Sequence, residues 1–327
     1  MRHGKKGLII GAAVIAAIAL GFIGHSIERY PAVYPDARSG DGLAVYGESS
    51  QAGQIDGGTE ESGQIGTVGE NEFEAYTYSL RDIELDNQGQ KIYGVAYIPN
   101  TESEKVPLVI CAHGLGGSYQ TNAAYAEWLA SHGIAAYCFD FRGGGGTRSD
   151  GDTTEMSVMT EVSDLETVME AAPEWEFADG DKIVLLGTSQ GGCVSAIAAA
   201  RHADRVSGLV LMYPAFLGRD AVHERFDSLE EVPDEFPFMW ITAGRRYVED
   251  LWDYDVYEEI GNYTGKVLLM HGSADSIVPL AYSDRAEEVY EDVEYHVIDG
   301  AGHGFHGSAF DEAVGYIFAY LREIQII

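Results

Sequence analysis

The chain has 327 residues, 46% of them hydrophobic, which is ample for one sizeable core with appendages. A formal net charge of −33 excludes the basic surface that non-specific nucleic-acid binding needs. Cys111, Cys138 and Cys193 are too few and too scattered for a disulfide framework, and no Cys-x-x-Cys or His-x-x-x-His spacing suggests a metal, so all three read as small packing residues.

Arg2, Lys5 and Lys6 precede an uncharged apolar run from Leu8 to Ile23. The run is near the lower length limit for a spanning helix, and its basic flank would stay in the cytoplasm. Residues 1–30 are therefore expected to anchor the chain in the cell membrane as a single pass, with the rest outside. A cleaved signal peptide and a secreted product share these ingredients, although no strong Ala-x-Ala site closes the run. Residues 31–70 are rich in Gly, Ser, Gln and acid and read as a flexible spacer. The folded domain is expected over 71–327.

Glu74–Leu80 alternates as a strand does, and Ile83–Leu85, the turn Asp86–Gly89 and Lys91–Ile98 read as an antiparallel hairpin. Pro107–Ala112 is a continuous apolar run, the mark of a central parallel strand. From there strands and helices alternate. Strands are expected at 134–141, 183–186, 206–212, 267–270 and 294–298, and helices at 122–131, 156–172, 194–203, 283–290 and 310–324. This is an α/β pattern with a mostly parallel central sheet and helices on both faces. The alternation breaks between Pro214 and about Gly265, a stretch of aromatics, acids and three prolines directly after a strand. The carboxyl edge of such a sheet carries the ligand crevice, so 214–265 is expected to form a small cap over it.

The chemistry gathers at the same edge. Gly187-Thr-Ser-Gln-Gly191 stands between a strand and an Ala-rich helix, the context in which Gly-x-Ser-x-Gly lifts a serine out of the sheet as a nucleophile. Ser189 needs a base, an orienting carboxylate and oxyanion donors. His303, in the Gly-rich loop Asp299–Phe305, is the expected base, with His306 as rival. Asp275, in His271-Gly-Ser-Ala-Asp275, is the expected acid. Its rivals are Asp299, read as a loop brace, and Asp284, read as a solvated helix residue. The order Ser, Asp, His suits this architecture. His113-Gly-Leu-Gly-Gly117 follows a strand, so the backbone N–H groups of Leu115 and Gln190 are the expected oxyanion donors. His113 reads as a loop organiser and His271 as a structural histidine.

With these parts in place, the chain resembles the α/β-hydrolase superfamily and, within it, the bacterial cinnamoyl (feruloyl) esterases. The resemblance runs from about Tyr78 to the C-terminus. It is carried by 113–117, Asp140-Phe-Arg-Gly-Gly-Gly-Gly-Thr-Arg-Ser-Asp-Gly151, 187–192, Val232-Pro-Asp-Glu-Phe-Pro-Phe238, 271–275 and Gly300-Ala-Gly-His303. It implies that the cap walls an aromatic acyl pocket and that polar cap residues bind the phenolic hydroxyl of a substrate. Laid over this chain, those positions fall on Asp220 and Tyr247. Arg245, Arg246, Glu249 and Asp250 add more charge around Tyr247 than the resemblance implies.

The expectation is a serine carboxylic-ester hydrolase that works through an acyl-enzyme on a small-molecule ester, with no cofactor and no metal. The alternatives are an exopeptidase or amidase with the same triad, since fold does not decide substrate, and a non-catalytic, membrane-anchored binding protein. Oligomeric state is left open by the sequence.

Overall fold

Tyr78–Asn87 (β1) and Gln90–Pro99 (β2) form the leading antiparallel hairpin, paired from Tyr78 with Pro99 to Asn87 with Gln90. Its two-residue turn puts both Gln88 and Gly89 at positive φ, 57° and 82°, the primed turn whose twist suits a tight hairpin. The two short runs expected before the turn are one strand. Its sequence hides this because most of β1 is exposed, including Leu80, and so carries little hydrophobic alternation.

The computed structural model describes residues 75–145 and 148–327. The expected anchor and spacer lie outside the described residues. Among those described, no helix is long and apolar enough to cross a membrane.

The remaining strands of the main sheet are β3 (Val106–Ala112), β4 (Ala135–Phe139), β5 (Ala178–Thr188), β6 (Gly208–Met212), β9 (Val267–Gly272) and β10 (Val293–Ile298). Among the described residues the sheet has eight strands in the order β1-β2-β4-β3-β5-β6-β9-β10. β2 pairs antiparallel with β4, and every pair beyond is parallel. Helices α1 (Ala123–Ser131), α2 (Val158–Ala171), α3 (Gln190–Arg201), α7 (Ala281–Val289) and α8 (Ser308–Glu323) connect or follow them.

The apolar runs are explained by burial on both faces. Leu108, Ile110, Leu185, Leu209 and Leu269 point into a cluster with Val162 and Leu165 of α2 and Val194 and Ile197 of α3. Val109, Cys111, Val184, Leu186, Val210 and Leu268 point the other way, against Leu129 of α1 and Ile317 and Leu321 of α8. Cys111, Cys138 and Cys193 are buried and form no disulfide. The period-2 alternation of side chains thus feeds two cores from one sheet.

The stretch expected to be a cap contains α4 (Gly218–Arg225), the hairpin of β7 (Glu235–Phe238) and β8 (Ile241–Gly244), α5 (Arg245–Leu251) and α6 (Val256–Ile260). It leaves the sheet after β6 and returns at β9. The hairpin and α5 are fixed to the body: Thr153 Oγ1 donates to the Thr242 carbonyl at 2.6 Å and Ser157 Oγ to Asp250 at 2.5 Å. Of the charges near Tyr247, Asp250 takes part in this attachment, while Arg245 braces the cap from within. Arg245 donates to the carbonyls of Val232 and Leu229 at 2.5 and 2.7 Å and pairs with Glu249. None of Arg245, Arg246, Glu249 or Asp250 lines the cavity under the cap.

Candidate active site

Ser189 sits between β5 and α3 with φ 53° and ψ −121°. A non-glycine residue there is strained, and such strain persists only where the surroundings enforce it. The surroundings are glycines and backbone. A Cβ built on Gly187 would lie 2.3 Å from the Gly191 carbonyl oxygen, and one on Gly191 would lie 2.3 Å from that of Ala112 and 2.4 Å from that of His113. The Ser189 N–H donates to Met212 at 3.0 Å, and its carbonyl accepts from Gly192 and Ala215 at 2.9 Å each. The crowding is against main chain, which cannot yield as a flexible side chain could. Gly191→Ala is therefore expected to cost about 1–3 kcal/mol or more of stability, read as a lower urea midpoint. It should also remove any reactivity of Ser189 in the fraction that still folds.

The structure brings Ser189, His303 and Asp275 together from three strand ends. His303 Nε2 lies 2.9 Å from Ser189 Oγ, and His303 Nδ1 lies 2.8 Å from Asp275 Oδ2. Asp275 Oδ1 accepts the N–H groups of Ile277 and Val278 at 2.8 and 2.9 Å. Burial pushes the Asp275 carboxyl up, but hydrogen bonds from His271, His303 and the Val278 N–H outweigh it and hold the acid well below the usual carboxylate range. The rivals stand apart. His306 is exposed, Asp299 accepts from Ser273 in the loop after β9, and Asp284 accepts from Tyr295.

Two further residues support these three. His271 is fully buried, with Nε2 3.0 Å from the Val278 carbonyl and 3.2 Å from Asp275 Oδ2, and Nδ1 2.7 Å from Ser283 Oγ. With two acceptors facing Nε2, that nitrogen carries the proton and Ser283 donates to Nδ1. The histidine that reads as structural thus props the acid. Tyr213, at φ 40° just beyond β6, packs its ring edge-on to His303 at 4.8 Å. Its signal was only its place after a strand.

The loop after β3 turns tightly. The Gly117 N–H donates to the Gly114 carbonyl at 3.0 Å around Leu115 and Gly116, with Gly116 at φ 69°, as the third residue of a type II turn requires. That turn leaves the Leu115 N–H unused. His113 is buried and organises the loop: Nδ1 donates to Gly114 O at 2.8 Å, and Nε2 accepts the Phe141 N–H at 3.2 Å. Burial lowers its pKa, so it stays neutral. Across from it, Gln190 opens α3, and the first N–H groups of a helix have no acceptor within it. The helix start favours negative charge there.

A cleft of about 950 Å³, open solvent at its mouth included, lies over Ser189, Gln190 and Leu115. Phe216, Phe238, Trp240, Tyr247, Tyr254 and Tyr257 give it an aromatic wall. Trp240, at the hairpin tip, donates Nε1–H to the Leu115 carbonyl at 2.8 Å, so the cap is tied to the turn that carries the Leu115 N–H. Asp220 and Tyr247 both line this cavity. Asp220 is exposed and accepts from the Tyr282 hydroxyl at 2.8 Å. Tyr247 is buried, and its hydroxyl donates to Gln190 Oε1 at 2.7 Å, so that donor is already used. Among the described residues, no cluster of His, Cys, Asp or Glu is arranged to hold a metal ion.

A family model described as serine aminopeptidase, S33, matches residues 103–244. The chain is 28% identical over 228 residues to an uncharacterized protein of Mycobacterium tuberculosis, covering 68% of this chain and 72% of that one. It is 32% identical over 142 residues to the human 1-acylglycerol-3-phosphate O-acyltransferase ABHD5, covering 42% of this chain and 37% of the relative. Among solved structures it is similar to Est1E from Butyrivibrio proteoclasticus with ferulic acid bound, with a TM-score of 0.68 and 25% identity over 74% of this chain and 99% of that one.

Proposed function

We propose that the chain, which has the α/β-hydrolase fold and resembles the bacterial feruloyl esterases, is a serine carboxylic-ester hydrolase acting through an acyl-enzyme. The observation that carries the proposal is the hydrogen-bonded series Asp275–His303–Ser189 beneath an aromatic-walled cavity.

Ser189 Oγ attacks the ester carbonyl carbon as its proton passes to His303 Nε2. Asp275 holds His303 in the tautomer that can accept that proton and stabilises the imidazolium formed. The carbonyl oxygen becomes an oxyanion between the N–H groups of Leu115 and Gln190, donors that are fixed before the reaction begins. The intermediate collapses, the C–O bond to the alcohol breaks, and His303 returns the proton to the leaving alkoxide. Water, deprotonated by His303, then attacks the acyl-Ser189 carbonyl, and Ser189 leaves with the proton.

The aromatic wall supports aromatic acyl groups, with hydroxycinnamoyl esters as the first class to test. In this reading Asp220, beside Tyr282 at the cavity, accepts the phenolic hydroxyl, and Tyr247 acts as wall rather than as donor to substrate. The family model favours a second reading, cleavage of aminoacyl amides by the same triad. A hydrolysis panel on the full chain separates the two. Hydroxycinnamoyl and short-chain acyl esters should be turned over, and Asp220→Ala should raise KM about tenfold for the hydroxycinnamoyl ester alone, the usual scale for one hydrogen bond to a charged group. Turnover of aminoacyl amides without ester turnover contradicts the esterase reading, and equal KM values contradict the role of Asp220.

A further inference from the structure

Helix α2 packs against α3, and its buried stripe of Val158, Val162, Leu165, Val168 and Met169 is interrupted by two acids, Glu161 and Asp164. Asp164 has a cation: Arg142 donates to both of its oxygens, and Asn87 adds a further hydrogen bond. Glu161 has none. Its Oε2 accepts from Gln190 Nε2 at 2.8 Å, and its Oε1 is buried without a hydrogen-bond partner. The same Gln190 amide accepts the Tyr247 hydroxyl on Oε1 and meets Met156 Sδ at 3.7 Å. Every polar atom of the Gln190 side chain is therefore held, from α2 on one side and from α5 on the other. Gln190 is also the residue after Ser189, so its peptide follows directly on the strained backbone of the serine.

We propose that Glu161 is a positioning residue of the oxyanion site: with Tyr247 it clamps the Gln190 side-chain amide and so fixes the peptide N–H that faces the developing oxyanion. The inference rests on the serine-hydrolase reading above. The groups that face Glu161 add no positive charge. Asp164 on its own helix is already paired with Arg142, and the neighbours on α3 and α5 are the Cys193 thiol and the Tyr247 phenol. Burial pushes the Glu161 carboxyl up, the Gln190 hydrogen bond pulls it down and Asp164 pushes it up again, to about 8. At neutral pH the clamp is thus a neutral acid, with no negative charge beside the site where the oxyanion forms. Ionisation above that range places a buried carboxylate there and works against the transition state. A raised folded-state pKa also means that the stability contribution of this acid is full below the unfolded value, about 4.3, and is lost as pH rises through the folded one.

The test is the rate at which a fluorophosphonate labels Ser189 in the full chain, followed from pH 6 to pH 10 at several probe concentrations. Wild-type labelling is expected to fall severalfold on the alkaline side with a midpoint near 8. E161Q, which keeps an acceptor for Gln190 but cannot ionise, should remove that fall. E161L should lower the maximal labelling rate about tenfold or more, with the half-saturating concentration little changed, short of the roughly 100-fold cost of losing an oxyanion donor outright. Y247F should show a smaller loss of the same kind. An alkaline fall that persists in E161Q, or an E161L protein that labels like wild type, overturns the proposal. If E161L does not fold, the pH profile of E161Q decides. Wild-type protein that labels but hydrolyses no ester removes the esterase reading and leaves this inference standing, whereas absence of labelling at every pH removes both.

Discussion

Replacing Ser189 by alanine is expected to lower kcat for any accepted ester about 10⁴- to 10⁶-fold, leaving the fold intact. In transition-state terms that is about 5–8 kcal/mol. The fold survives because what holds the turn is backbone: the hydrogen bonds of Ser189 with Met212, Gly192 and Ala215, and the room left by Gly187 and Gly191. Alanine keeps all of these and removes only Oγ. The residual rate reflects the Leu115 and Gln190 donors and substrate binding. Because the triad acts as a unit, the double variant Ser189→Ala with His303→Ala should be no slower than Ser189→Ala alone. Steady-state hydrolysis and circular dichroism of the three proteins check this. A loss of under tenfold, or an additive double variant, contradicts it.

Asp275→Asn is expected to cost about 10³- to 10⁴-fold in kcat with little change in KM. The geometry gives the reason. The Oδ1 position accepts two backbone N–H groups, from Ile277 and Val278, so the asparagine carbonyl must occupy it. The amide NH₂ is then left facing His303 Nδ1 and His271 Nε2, both of which donate in the native protein. His303 can meet an incoming N–H only by accepting on Nδ1, which puts its own proton on Nε2, facing Ser189. In that tautomer it cannot act as base. The acid limb follows from the same contacts. With its folded pKa depressed, Asp275 contributes stability that is present above the unfolded carboxylate value, about 3.9, and is lost as pH falls through the folded one. The melting temperatures of wild type and Asp275→Asn should therefore differ at neutral pH and converge only in strong acid. A gap that closes near neutrality contradicts the assignment.

Much of this site was legible because each part carries a local signal in the chain. Gly187-Thr-Ser-Gln-Gly191 lies between an apolar run and an Ala-rich one, and the Gly-rich loops at 113–117 and 299–305 follow strands. What escaped depends on direction rather than type. Tyr247 and Asp220 line the cavity, but a pattern laid along a chain says nothing about where a hydroxyl points, and that of Tyr247 is spent on Gln190. β5 begins at Ala178 rather than near Ile183: Ala178 pairs with Val106, the register then shifts across Asp179, Gly180 and Asp181, which carry no hydrophobic pattern, and regular pairing resumes at Ile183 with Leu108. The helix after Ser189 begins at Gln190, earlier than the Ala-rich stretch suggests, since the close approach of Gly191 to Ala112 is a tertiary fact. One signal was present and unread. Glu161 lies three residues after Val158 and four before Leu165, so a carboxyl stands in the apolar stripe of an amphipathic helix. A buried acid needs a partner, and the partner is Gln190.

The most direct measurement is rapid-quench mass spectrometry of the full chain mixed with p-nitrophenyl acetate, followed by peptide mapping. The expected result is a transient acetyl group on the peptide containing Ser189, formed in a burst and absent from Ser189→Ala. Hydrolysis without any such adduct, or with the acetyl group on another residue, would contradict an acyl-enzyme at Ser189.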